Sequence, residues 1–164
     1  MIRCMGKGIF GRFTSTVPAP KPGTPLWRPW KAITQLNIRL YRASGGRLGG
    51  RYDRAPVCIL HHTGAKSGVD RETPLVYLPD GERVVLVASM GGNPKNPAWY
   101  HNLKAHPRAT VEVSGERRPM TARVVTDEAE RAQLWPRLLE LWPAWEDYQA
   151  RTTRRLPVIV LEPR

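Results

Sequence analysis

Between residues 56 and 162 the apolar positions gather into short runs, each bounded by glycine, proline or charged residues. Runs of this kind read as strands: "PVCILHH" (56–62), "ETPLVYL" (72–78), "RVVLVAS" (83–89), "ATVEV" (109–113), "RPMTARVV" (118–125) and "LPVIVLE" (156–162). The third run is apolar at both parities, which predicts burial on both faces and a central place in a sheet. "PDG" before it and "SGE" after "ATVEV" are turn signals. A helix is predicted from about Pro29 to Tyr41, with Trp30, Ile33, Leu36 or Asn37, and Leu40 as its apolar face, ended by "SGGRLGG". A short helix over "AWYHNLKAH" follows the loop "MGGNPKNP". Thr126 is the expected N-cap of another helix, with Asp127 and Glu128 in its first turn; it runs to about Trp142, where Pro143 stops it. A last helical piece covers "AWEDYQAR". Six strands with two or three helices and no strand–helix–strand alternation predict an α+β fold, a barrel-like, mainly antiparallel sheet with flanking helices.

The first 24 residues have a different character. "VPAPKPGTP" (17–25) is a proline-rich linker in extended geometry. Ahead of it Ile2, Met5, Ile9 and Phe13 fall at helical spacing among Arg3, Lys7 and Arg12, a pattern suited to peripheral contact with an anionic membrane through residues 1–13. The expected organisation is therefore a basic, proline-rich, flexible arm over 1–24 and a single barrel domain over 25–164. Charge sharpens the division. Residues 1–54 hold eleven Lys and Arg against a single acid, Asp53, a net +10 out of +12 for the whole chain. Such an arm favours a polyanionic partner. Specific nucleic-acid binding is not expected, because few aromatics interleave with these cations. No apolar run reaches the roughly 20 residues that cross a bilayer, and no signal-peptide pattern opens the chain. Two cysteines, Cys4 and Cys58, make no disulfide framework. The expected location is the cytoplasm, with the arm resting on the inner face of the membrane. His61 and His62 are adjacent on a strand and point to opposite faces, so they do not chelate one metal; no metal site is expected.

Three segments carry a resemblance: "TGAKSG…R…TPLVYL", "VASMGGNPKNPAWYHNLKAHP" and "LWPAWEDYQARTTRRLPVIVLEP". Together they resemble the deazaflavin-dependent nitroreductase family, split β-barrel oxidoreductases that use reduced coenzyme F-420 to reduce quinones and nitroaromatics. The likeness spans about residues 30–162. It implies a split β-barrel of the FMN-binding type, coenzyme F-420 as cofactor, and hydride transfer from the coenzyme's C5 to the acceptor.

The residues themselves fit that chemistry. The coenzyme is a string of anions, a phosphodiester followed by a poly-glutamate tail. Gly64 and Gly68 let backbone N–H groups converge on an oxyanion, Lys66 adds a point charge, Ser67 a hydroxyl, and Arg71 a bidentate donor. Taken alone, the stretch also reads as an ordinary hairpin. Beside Lys66, Ser67, Gly68 and Arg71, the resemblance implies coenzyme contacts for Pro74, Ala88, Ser89, Met90, Gly91 and Trp99. Gly91 and Gly92 permit close approach to a flat ring, with main-chain N–H groups of 87–92 meeting its carbonyls. Trp99 is open between a coenzyme contact and a core position. His101 and Asn102 are expected to make structural hydrogen bonds. Trp142, Trp145 and Tyr148 share a spacing of three; the resemblance makes them the wall of the acceptor site, and ordinary core packing is the competing reading. Ser89 and Tyr148 are the implied catalytic hydrogen-bonding residues. Two departures from the family stand out: Ala65 where it commonly has Arg or Lys, and Met90 where it often has Lys. Arg47, Arg51 and Arg54 are candidates to replace the missing charge. An FMN-dependent reductase and a coenzyme-sequestering protein without turnover remain as alternatives, and the oligomeric state is left open.

Overall fold

The structure, a computed structural model, describes residues 25, 27–53 and 55–164. The expected arm over 1–24, its membrane contact over 1–13, Cys4, Arg54 and the side chain of Trp30 lie outside the described residues. Twelve regular elements follow in order, apart from a 3-10 turn over Met90–Gly92: α1 (Trp27–Ala43), β1 (Arg51–Tyr52), β2 (Ala55–Thr63), β3 (Asp70–Val76), β4 (Leu78–Asp80), β5 (Arg83–Val87), α2 (Ala98–Ala105), β6 (Arg108–Val113), β7 (Glu116–Val124), α3 (Glu128–Leu141), α4 (Ala144–Ala150) and β8 (Val158–Pro163).

All strand pairs are antiparallel, and the order across the sheet is β3-β2-β6-β7-β8-β5-β4, with β1 on the start of β2. Its two ends are the same stretch of chain. β3 and β4 are separated by Tyr77 alone, so one bent strand pairs with β2 through its first part and with β5 through its second. That bend closes the sheet into a barrel and removes most of the exposed edge. The apolar pattern over 72–78 predicts one strand. The bend divides it, which with the two-residue β1 gives eight strands rather than six.

The two-sided burial expected of 83–89 is present. Val84 and Leu86 face the barrel interior with Leu60, Val111, Met120, Ile159 and Leu161, joined there by Trp99 and Leu103 of α2. Val85 and Val87 face outward with Val158 and Val160, under Leu134 and Leu138 of α3 and Trp145 and Tyr148 of α4. Gly81, at φ +62, takes the left-handed place in the tight β4–β5 turn.

Two expectations are corrected. Asp127, not Thr126, caps α3; its carboxylate accepts the Glu130 N–H at 2.7 Å. The face of α1 is also different. Ile33, Leu36 and Leu40 are exposed, and the helix rests instead on Ile38 and Tyr41, packed against Ile59. The reason is polar. Arg42, on the Ile38–Tyr41 side, reaches Glu72 at 2.7 Å and Glu112 at 3.0 Å, while the Tyr41 hydroxyl accepts the Ser114 N–H at 2.8 Å. Glu112 is buried at 2 % exposure, so a guanidinium must face it.

Candidate active site

The Thr63–Asp70 turn joins β2 to β3. It is closed by Gly64 N–H to the Val69 carbonyl at 2.9 Å and Gly68 N–H to the Gly64 carbonyl at 2.8 Å. A Cβ at Gly64 would lie 2.5 Å from Ser67 Oγ and 3.2 Å from Arg71 Nε, so only glycine lets the hydroxyl and guanidinium gather there. Lys66 and Arg71 are exposed and make no ion pair among the described residues. Two cations without an internal counter-charge, around a glycine cradle, suit the phosphate and carboxylates of the coenzyme.

The turn is held from behind. Asn102 Oδ1 accepts the Ala65 N–H at 2.9 Å, and its Nδ2 lies 3.0 Å from His62 Nδ1. His62 Nε2 lies 3.0 Å from Thr73 Oγ1. These contacts determine the tautomer. The amide oxygen is taken by an N–H, so Nδ2 donates to an unprotonated Nδ1, and Nε2–H donates to Thr73. Burial first, then Arg71 and His61, lower the His62 pKa to about 4. The ring stays neutral at ordinary pH. The structural hydrogen bonds expected of Asn102 are thus present; His101 is exposed, its ring 5.3 Å from Tyr100.

The second part of the site leads into the same helix. Ala88 is buried and Ser89 half-exposed at the end of β5, followed by the 3-10 turn. Met90, Gly91 and Gly92 all have positive φ. Gly92 is buried against α4: a Cβ there would lie 2.6 Å from the Tyr148 carbonyl and 2.8 Å from Arg151 Cβ. Glycine at 92 therefore lays the loop directly on the helix that carries Tyr148. Arg154 fastens the loop from below. Its Nη2 donates to the Ser89 carbonyl, its Nε to the Asn93 carbonyl and its Nη1 to Asn96 Oδ1, each at 2.7 Å.

The aromatic trio divides. Trp145 is 3 % exposed in the outer core. Trp142 is half-buried, its ring edge-on to Tyr52 at 4.9 Å. Burial raises the Tyr148 pKa, opposed by a hydrogen bond from the Trp142 indole. The indole N–H only donates, so the phenol oxygen accepts from it; burial outweighs that bond and the Arg151 charge, and keeps the phenol protonated. Trp99 is buried in the barrel interior, and Pro74 is half-buried in β3, opposite Ile59. Arg47 and Arg51 are exposed beyond α1. The turn, α2, the 89–97 loop, Arg154 and α4 thus form one bonded set, with Trp145 and Trp99 inside the cores that support it. Arg154, Thr73 and Tyr52 were not among the expected site residues. "RTTRRLP" reads as a solvated charge run, and no local pattern separates Arg154 from Arg155.

An antiparallel sheet closed by one bent strand and flanked by helices is a split β-barrel. The family model for F420H(2)-dependent quinone reductase matches residues 33–163, and the chain belongs to that family. It is 41% identical over 135 residues to an F420H(2)-dependent quinone reductase of Mycobacterium tuberculosis, covering 80% of this chain and 91% of the relative. A second, putative F420H(2)-dependent quinone reductase of the same organism is 40% identical over 119 residues, covering 72% of this chain and 99% of the relative. Among solved structures, the F420-H2 dependent reductase FDR-A superposes with a TM-score of 0.60 at 39% identity, over 65% of this chain and 94% of that one. A chain described as a domain-swapped dimer superposes with a TM-score of 0.63 at 33% identity, over 82% of this chain and 99% of that one.

Proposed function

We propose that this chain reduces a quinone with hydride from reduced coenzyme F-420, and accepts nitroaromatics as alternative acceptors. The observation that carries the reading is the pair of cations, Lys66 and Arg71, without an ion pair among the described residues, at a glycine cradle bonded through Asn102 and α2 to the Ser89–Gly92 loop. When bound, the coenzyme supplies the hydride; the protein supplies orientation and electrostatics. Lys66, Ser67, Gly68 and Arg71 hold the anionic tail, and the Ser89–Gly91 backbone meets the ring, with Ala88 and Trp99 supporting it from the barrel. Trp142 and Tyr148 border the acceptor, backed by Trp145. A stacked acceptor is held at transfer distance, which is a proximity effect. Charge gathers on the acceptor oxygen as hydride arrives, and the Ser89 hydroxyl and the protonated Tyr148 phenol are the donors that answer it. No strong general base is required.

The test is a side-by-side titration of the purified protein with F-420, FMN and NADPH, followed by turnover with menadione and a nitroaromatic. F-420 binding with reduction of menadione supports the reading. Yellow protein that releases FMN would replace it with the FMN alternative, and tight F-420 binding without turnover with the sequestering one.

A peripheral position on an anionic membrane, where quinones reside, has its own support. Ile33, Leu36, Leu40 and Leu48 are exposed beside Arg39 and Arg47. Apolar side chains flanked by cations suit an interfacial surface. Among the described residues no helix is long and apolar enough to cross a membrane. Co-sedimentation with anionic but not neutral vesicles checks this reading.

A further inference from the structure

We propose that Arg154 is a positioning residue for the reaction: it clamps the Ser89–Met90 peptide so that the Met90 and Gly91 N–H groups form the oxyanion-binding concavity of the ring site. This rests on the coenzyme reading above and assigns the device that makes it work.

The loop has the geometry of a backbone nest. Ser89 is right-handed, at φ −80 and ψ −43, and Met90 is left-handed, at φ +48. Alternation of hand turns successive N–H groups inward onto an anion. The neighbouring groups are spent: Ser89 N–H on the Val87 carbonyl, Gly92 N–H on the Ser89 carbonyl and Asn93 N–H on the Met90 carbonyl. Those of Met90 and Gly91 have no partner among the described residues. A non-glycine residue at positive φ is strained and persists where its surroundings enforce it.

Arg154 is what enforces it. All three kinds of guanidinium nitrogen are used on this loop, on neutral acceptors, and no carboxylate pairs with the side chain among the described residues. In a trans peptide the C=O and the following N–H point in opposite directions. Fixing the Ser89 carbonyl on Nη2 therefore aims the Met90 N–H away from Arg154, toward the opposite face of the loop. The guanidinium charge also polarises that peptide. A carbonyl that accepts a charge-assisted bond makes its own N–H a stronger donor, which is the cooperativity of hydrogen-bonded chains. Arg155, its neighbour, lies outside this arrangement; it pairs with Glu128.

The experiment uses the full chain as wild type, Arg154→Ala and Arg154→Lys. Three quantities are read: the F-420 dissociation constant, the amide proton shifts of Met90 and Gly91 on saturation with F-420, and kcat with menadione. In the wild type both amides move downfield on binding. In Arg154→Ala the dissociation constant changes by less than about threefold, because Lys66 and Arg71 hold the tail, while the amide response is lost and kcat falls tenfold or more. Guanidinium at a sub-denaturing concentration restores part of kcat to Arg154→Ala, and ammonium at equal ionic strength does not. Arg154→Lys keeps the charge but not the fork, folds as the wild type, and falls between the two. Wild-type amide shifts and kcat in both variants would overturn the assignment, leaving the coenzyme reading intact. So would an Arg154→Lys protein that loses affinity, thermal stability and kcat together, the mark of a purely structural bond. Failure of the wild type to bind F-420 at all would overturn both.

Discussion

The Asn102 carboxamide sits between two partners that leave it one orientation: its oxygen on the Ala65 N–H at 2.9 Å, its nitrogen on His62 Nδ1 at 3.0 Å. A residue of α2 thereby sets both the height of the Lys66 turn and the tautomer of a buried histidine. Asn102→Asp reverses the second effect. A carboxylate still accepts from Ala65 but accepts from Nδ1–H as well, so His62 is expected to titrate well above its present value of about 4. Histidine NMR titration of the two proteins checks this. An unchanged His62 would show that burial alone, not the amide, sets the value.

The same histidine makes stability depend on pH. Its native pKa of about 4 lies below the ordinary 6.5, so in that window the unfolded chain takes up a proton that the native protein does not. Stability is therefore complete above about pH 6.5 and declines as pH falls toward 4, by roughly 3 kcal/mol in total. His62→Gln supplies an acceptor for Asn102 and a donor for Thr73. It is expected to fold at pH 7 and to lose most of the decline. Urea denaturation at pH 7, 5.5 and 4.5 measures both slopes.

Lys66 and Arg71 have no ion pair to lose among the described residues, so alanine at either leaves the melting temperature within a degree or two. Coenzyme affinity is expected to drop about tenfold for each, since one charge-assisted bond contributes roughly 1.5 kcal/mol or more. The loss shrinks as salt rises, because both sites are exposed. Equal F-420 affinity in the wild type and the double variant would remove the turn from the site.

What the sequence made legible divides along physical lines. Strands buried on both faces, such as 83–89, announce themselves by unbroken apolar character, and the glycine turn announces itself by residues that are poor at anything else. The opposite faces of His61 and His62 follow from strand periodicity, and His61 indeed reaches Glu112 while His62 reaches Thr73. α1 misled the pattern because its anchoring is electrostatic: Arg42 chooses the face, and Ile33, Leu36 and Leu40 are left in solvent. Arg154 was invisible for a related reason. Its acceptors are two carbonyls and an amide about 60 residues away in the chain, and backbone acceptors leave no mark in a residue string.

Gly91 and Gly92 look interchangeable in the sequence and differ in the structure. A methyl at Gly91 meets open space, so Gly91→Ala carries only the cost of a left-handed residue, about 1 kcal/mol. At Gly92 it would strike the Tyr148 carbonyl and Arg151 Cβ. Gly92→Ala is expected to cost about 3 kcal/mol or more and to separate the loop from α4, lowering kcat with it. Calorimetry on the two variants tests the ranking; equal losses would show that the loop does not press on Tyr148 as closely as 2.6 Å implies.

The buried carboxylate of Glu112 holds α1 to the barrel through Arg42, at 3.0 Å. Burial raises its pKa, and hydrogen bonds from Arg42 and His61 more than offset that, holding it below the usual carboxylate range. A carboxylate so depressed stabilises the native state above the ordinary carboxylate pKa, and the contribution is lost as pH falls through the native one. Glu112→Gln removes the charge while keeping the shape. Arg42 then retains only Glu72, and the cost is expected to be about 3 kcal/mol, the range for breaking a buried pair from one side. Since Arg42 is the polar anchor of α1, hydrogen exchange should quicken first in that helix, before the barrel strands. Uniform loss of protection across α1 and β6 together would mean that Glu112 supports the sheet itself rather than the helix laid upon it.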